Sequence, residues 1–271
     1  MRTIKSIIAI TAVGSAAIIA ESCAKQSDQA IEFETRVDSI GYLMPDFQGD
    51  SLYFAAKYSV VWPEKIGRED FEVLRDTLLQ LTFGHCRATT FDEASSIFMT
   101  SGIKAYEQEG DSTIAHVRVP FTTAYDAINN NVRLVGSDVT LLTPKVLVVQ
   151  VNTYDYAYGS AHGMNMTRYL NYSLVDHCLL TAENIFKPGS STAILDLINA
   201  SAKEHYPDEG TLFPQPISGL GSIQITEDDI VFVYQPYEVA PYSTGVVNIP
   251  VSKYDLYRFM TPEAAEAMSD D

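Results

Sequence analysis

Apolar and polar positions alternate with a period of two along several stretches of the chain, and recur at helical spacing along others. Ile31, Phe33 and Thr35 alternate with acidic neighbours, and residues 51–62 are rich in aromatic and β-branched side chains. Both stretches read as strands, with Pro63 and Gly67 as punctuation after them. Phe71, Leu74, Leu78 and Leu81 fall on one helical face with Asp and Glu opposite, and Gly84 is a natural stop. Thr90-Phe91-Asp92-Glu93 has the form of a capping box, in which hydroxyl and carboxylate satisfy free amides at a helix start. The helix it opens is expected to end near Gln108, before Gly110.

Beyond Ser112 the period returns to two, or the chain becomes continuously apolar. Residues 114–124, 132–142, 146–158 and 164–174 read as strands, and their short links favour antiparallel pairing. Residues 191–204 read as a helix with Ile194, Leu197 and Ile198 on its apolar face, and the Pro- and Gly-rich residues 207–221 as the largest loop. Two further strands are expected at 230–234 and 245–251. Thr261-Pro262 supplies an N-cap and a helix-starting proline for a short last helix. The sum is an α+β fold of largely antiparallel sheets with helices packed on one face. Two sequential subdomains are expected, residues 31–143 and 144–260, followed by a C-terminal helix and tail, 261–271.

The N-terminus has a different character. Arg2 and Lys5 precede an uncharged apolar run, Ile7 to Ala20, that is shorter than the roughly 20 residues a membrane span needs. A basic start, a short apolar run and the small residues of Ala20-Glu21-Ser22 describe a signal peptide over residues 1–22. Cys23 follows directly, so Ala20-Glu21-Ser22-Cys23 resembles a bacterial lipobox, with Ala20 where Leu is usual and a charge at Glu21. Lipidation of Cys23 is the expectation, with residues 23–30 as a polar tether. The chain is then held in the cell envelope by its lipid, touching the membrane through that anchor alone.

Composition narrows the partners. The chain carries 18 basic and 35 acidic residues, a net charge of −17, and loss of Arg2, Lys5 and Glu21 makes the mature form one unit more negative. Such a surface repels nucleic acid and anionic lipid head groups and favours a basic protein or a cation, or it serves only to keep the protein soluble, the favoured reading. Outside the cytoplasm a disulfide between Cys86 and Cys178 is permitted, but two distant cysteines do not establish one, and two buried thiols are the favoured reading.

Candidate chemistry concentrates in two segments. Tyr154, Tyr156 and Tyr158 alternate along a strand and project to one face, and Gly159-Ser160-Ala161-His162-Gly163 then presents one imidazole on a tight turn. His162 reads as a binding or acid–base group, or as a turn residue that caps neighbouring carbonyls. Ser160, His162 and Asp155 have the types of a nucleophilic triad, but a triad converges from separate segments, and Ser160 sits one place early for a nucleophile elbow. The second segment, residues 232–245, displays Tyr237, Glu238 and Tyr242 beside Pro236 and Pro241. It reads as a rigid contact loop or as a loop folded onto its own core. The five histidines are scattered and no paired ligand spacing occurs, so no metal, cofactor or catalytic residue is expected. Asp208-Glu209 and Glu227-Asp228-Asp229 read as solvated turns, without the spacing of a calcium loop.

At these two segments the chain resembles a known family. Tyr158-Gly159-Ser160-Ala161-His162-Gly163, with Tyr169 to Leu174 and Ile185-Phe186 after it, resembles the Tyr-x-Gly-Gly-Ala-His-Gly region of RsiV-like extracytoplasmic domains. Residues 232–245 and the strand after them resemble that family's Tyr-Glu-Ile-Ala-Pro-Tyr-x-x-Gly block. Ser160 stands where the family commonly has Gly. The family includes the outer part of an anti-sigma factor that senses lysozyme and an accessory region of a peptidoglycan deacetylase. The resemblance implies an envelope location and a recognition surface for a protein, a basic lysozyme-like one included, or a cell-wall glycan. Tyr158, His162, Tyr237, Glu238 and Tyr242 are the candidate binding residues. A cell-wall hydrolase using His162 as acid–base group, and a purely structural envelope component, are the alternatives.

Overall fold

The computed structural model describes residues 7–8, 31–45, 51–66, 71–84, 87–109, 117–121 and 130–269. The expected cleavage site, Cys23 and its tether, Cys86, His85 and His116 lie outside the described residues. No described helix is long and apolar enough to cross a membrane.

The fold is α+β, as the sequence predicts, and the described residues form a large mixed sheet, a second three-stranded sheet and six short to medium helices. The large sheet takes β1 (Ile7–Ile8), β2 (Ile31–Pro45), β3 (Ser51–Ile66), β5 (Asn130–Leu142), β6 (Val146–Tyr156), β7 (Met164–Ser173) and β8 (Cys178–Leu179) in that spatial order, with β4 (Val117–Val119) paired to β2. Pro63 does not end its strand. It pairs with Phe33 where the register slips between Glu32 and Phe33, a bulge being one of the few places a ladder accepts an imino acid. All neighbours run antiparallel except β3 and β5. Their parallel pairing follows from the long crossover that carries α1 (Glu72–Phe83) and α2 (Phe91–Glu109).

Those two helices cover one face of the sheet. α1 ends at Gly84, which takes φ +81. At the start of α2 the Glu93 N–H donates to Thr90 Oγ1 at 3.3 Å, while the Glu93 carboxylate reaches back to the Thr89 amide, one residue earlier than a standard box. Phe91 anchors this helix edge-on to Tyr58, Trp62 and Phe83, with the Arg36 guanidinium 4.4 Å from its ring centre.

The second sheet is β9 (Ser222–Ile225), β10 (Asp229–Tyr234) and β11 (Val247–Ser252), antiparallel with β10 central. Its Ile223, Ile225, Ile230, Phe232, Ile249 and Val251 are buried with α3 (Ala182–Ile185), α4 (Ser191–His205) and α6 (Pro262–Ala267); α5 (Lys253–Leu256) follows β11. Residues 143–145, where the sequence suggests a boundary, form the turn from β5 to β6 inside the continuous large sheet. β6 serves both cores. Leu147, Val149 and Val151 face the core of α1 and α2, and Val146 and Val148 face that of the second sheet. A strand segment buried on both sides is apolar at successive positions, which is why residues 146–149 form a continuous apolar run rather than an alternation.

Three side chains replace strand pairing at exposed or interrupted ladders. The buried Asn171 of β7 donates from Nδ2 to the Ile223 carbonyl and accepts from the Ile225 N–H, both at 2.9 Å. On the far side of the second sheet, α4 covers the β11 rim. Tyr206 Oη donates to the Asn248 carbonyl and accepts from the Asn248 amide, and Ser201 Oγ donates to the Pro250 carbonyl. The last helix begins as the sequence predicts, Thr261 Oγ1 accepting from the Ala264 N–H with Pro262 at the first helical position. Thr261→Ala is expected to lower stability by about 1 kcal/mol through loss of this cap, read as a lower midpoint in urea unfolding.

Candidate functional site

The β6–β7 turn and the β10–β11 loop, 75 residues apart in sequence, meet through three aromatic rings. The His162 ring lies on that of Tyr242 with centroids 3.8 Å apart and planes 20° apart; Tyr237 stands 5.7 Å from Tyr242, with the planes at 29°. His162 Nδ1 lies 3.0 Å from the Gly163 carbonyl, and Nε2 lies 3.0 Å from Tyr237 Oη. A carbonyl only accepts, so Nδ1 carries the proton and Nε2 takes the Tyr237 hydroxyl. The same Gly163 carbonyl accepts from Tyr242 Oη at 2.5 Å.

Each loop is held from below. Tyr154 of β6 packs against Gly163 so closely that a Cβ there would meet its ring at 2.3 Å. Tyr156 Oη donates to the Ser160 carbonyl, and the Ser160 N–H closes the turn on Ala157. In the other loop, Tyr237 takes φ +73, a left-handed conformation that costs a non-glycine residue about 1–2 kcal/mol. Its N–H donates to the Ala240 carbonyl. The Glu238 carboxylate accepts from the Gln235 N–H at 2.7 Å. The Gln235 side-chain amide in turn brackets Thr167 of β7, donating to its carbonyl and accepting from its N–H. Tyr234, just before this loop, is held above the usual phenol range by burial and then by Glu238.

Of the five candidates from the sequence, His162, Tyr237 and Tyr242 come together, and Glu238 anchors the loop that carries two of them. Tyr158 stands apart. β6 ends at Tyr156, and the Tyr158 N–H donates to Asn131 Oδ1 while its ring remains half exposed. Gln235 carries no signal in the sequence, because nothing local distinguishes a glutamine that pairs with a strand 68 residues away. Among the described residues, no serine hydroxyl or carboxylate is bonded to His162. Asp155 pairs with Arg133 at 2.8 Å, and no described hydrogen bond joins the Ser160 hydroxyl to His162. Among the described residues no group of three or more His, Cys, Asp or Glu is placed to hold a metal. Of the remaining described histidines, His177 packs edge-on against Phe71 and His205 Nδ1 meets the Ser201 carbonyl. The Glu227–Asp229 segment forms the β9–β10 turn, with Thr226 and Asp229 bonded to each other. Cys178 is a free, half-buried thiol whose pKa is raised by burial and then by Asp176.

Residues 183–254 match a family model described as a protein of unknown function, DUF3298. The matched stretch covers α4 and all of the second sheet, and includes Tyr237, Glu238 and Tyr242. A crystal structure of a DUF3298 family member from Bacteroides fragilis is similar over 90% of this chain and 99% of its own, with a TM-score of 0.67 and 19% identity. A DUF3298 family protein from Pseudomonas aeruginosa is similar over 88% of this chain and 97% of its own, with a TM-score of 0.58 and 16% identity. At such identities the likeness speaks for a shared fold. The curated proteins include no match to the sequence.

Proposed function

We propose that this chain is a non-catalytic protein of the cell envelope, anchored through a lipidated Cys23, that binds a partner on the stacked face of His162, Tyr237 and Tyr242. The observation that carries this reading is the stack itself: three rings from two loops, fixed by internal hydrogen bonds, with Tyr237 still 52% exposed. Aromatic rings held in place before binding offer contact area at little cost in lost freedom. A protein partner is the first reading, and a basic one is favoured by the net charge of −17. A cell-wall glycan is the second, favoured by the near-parallel planes, whose faces suit the C–H face of a sugar ring.

An acid–base role for His162 in a cell-wall hydrolase has less support, since both ring nitrogens are engaged within the fold. The finer kinship with RsiV-like extracytoplasmic domains draws support from the ring stack, because the two segments that carry that resemblance are the two that meet there. Tyr237→Ala, tested by affinity capture from envelope extract, is expected to weaken partner recovery about tenfold, or some 1.4 kcal/mol. The melting temperature should change little. Recovery of a basic protein should fade at high salt, and that of a neutral glycan should not. Undiminished capture by the variant rules out the stack as the contact, and capture of nothing by the native chain points to a structural component.

A further inference from the structure

A cleft of about 900 Å³ opens beside Val239 of the β10–β11 loop, between α4 and residues 208–217. That volume falls within the ~300–1,000 Å³ range of ligand pockets. Its walls are apolar: Leu212, Phe213, Pro216, Ile217 and Val239. Phe213 is 39% exposed, large for an aromatic ring facing solvent. Its rim carries the carboxylates of Asp196, Asp208 and Glu209 against the single ammonium of Lys203. None of the three carboxylates makes a hydrogen bond or ion pair with the described residues.

The walls are fixed without any occupant. Asn199 of α4 brackets Ile217, donating to its carbonyl and accepting from its N–H, both at 2.9 Å. The Phe213 N–H donates to the Val239 carbonyl, and Thr244 Oγ1 donates to the Thr211 carbonyl. The loop that carries Tyr237 and Tyr242 is therefore also a wall of this cleft. An apolar trough under three unpaired negative charges selects one chemistry, a hydrophobic side chain flanked by cations. A cationic ligand gains attraction from the rim, a neutral one gains none, and an anionic one is repelled.

We propose that this cleft is a second contact site, which takes an apolar side chain flanked by arginine or lysine from a basic segment of a protein partner. The proposal rests on the reading of the chain as a protein-binding module, and places two contacts along one loop.

The test is a titration of the full chain with a peptide of alternating arginine and phenylalanine and with its glutamate–phenylalanine counterpart. Binding is followed by the amide resonances of α4 and residues 207–217. The basic peptide is expected to shift these resonances and to bind more weakly as salt rises. The double variant Asp208→Asn/Glu209→Gln, which keeps side-chain shape, is expected to weaken it about tenfold, and Phe213→Ser by a similar factor with an unchanged melting temperature. Tyr237→Ala should leave peptide binding intact. Equal binding of the acidic peptide, no effect of the double variant, or no shift at α4 overturns the cleft proposal. Loss of peptide binding only in Tyr237→Ala also overturns it, while leaving the ring stack standing as the contact.

Discussion

Asn171→Leu is expected to lower the unfolding free energy by roughly 3 kcal/mol, the combined cost of leaving a buried donor and a buried acceptor unpaired. The Asn171 side chain is 4% exposed, and its carboxamide alone serves the Ile223 carbonyl and the Ile225 N–H. Leucine keeps the branched arrangement of heavy atoms with bulkier methyl ends, so no cavity opens and the loss comes chiefly from polarity. Asn171→Asp separates the two bonds, since a carboxylate still accepts from Ile225 but faces the Ile223 carbonyl with no proton to offer. It should destabilise further at neutral pH than at acid pH, where the protonated acid can donate. Urea unfolding of the three proteins checks this. A leucine variant as stable as the native chain would show that β7 and β9 are held together by apolar contact alone.

Gly163→Ala is expected to damage both stability and recognition. Its new methyl would sit 2.3 Å from Tyr154 Cε2 and 2.4 Å from Cζ and Oη, so the ring or the turn must move. Overpacking of this kind typically costs about 1–3 kcal/mol. The Gly163 carbonyl also receives both His162 and Tyr242. A displaced turn therefore releases the stack, and partner capture should fall about tenfold. The double variant Gly163→Ala/Tyr154→Ala removes the obstruction and is expected to recover most of the binding, which a simple loss of folding would not do. Binding that stays low in the double variant would mean that Tyr154 contributes something other than space.

Much of this fold was legible because its signals are local. Strand alternation marked β5 and β7, Thr261-Pro262 marked the start of α6, and Gly84 marked the end of α1. The proline in β3 misled, because a bulge accepts what a regular ladder refuses. Partnership was not legible. Short links correctly suggested antiparallel neighbours, but the parallel contact of β3 with β5 depends on a crossover whose path no local pattern records. The same holds at the site. His162, Tyr237 and Tyr242 stand out in the sequence as unusual residues in unusual loops, whereas their stacking depends on register and twist between elements far apart in the chain. Tyr158 shows the converse. Alternation put it with its neighbours, but the strand stops two residues short of it.

The covering of β11 by α4 bears on how copies of this molecule behave when packed side by side. An open ladder is an invitation to a neighbour's backbone. Here Tyr206 occupies both polar groups of Asn248, Ser201 occupies the carbonyl of Pro250, and the proline has no proton to lend. A second chain arriving at this margin finds its hydrogen-bonding places already taken, so crowding need not turn into fibre growth from this side.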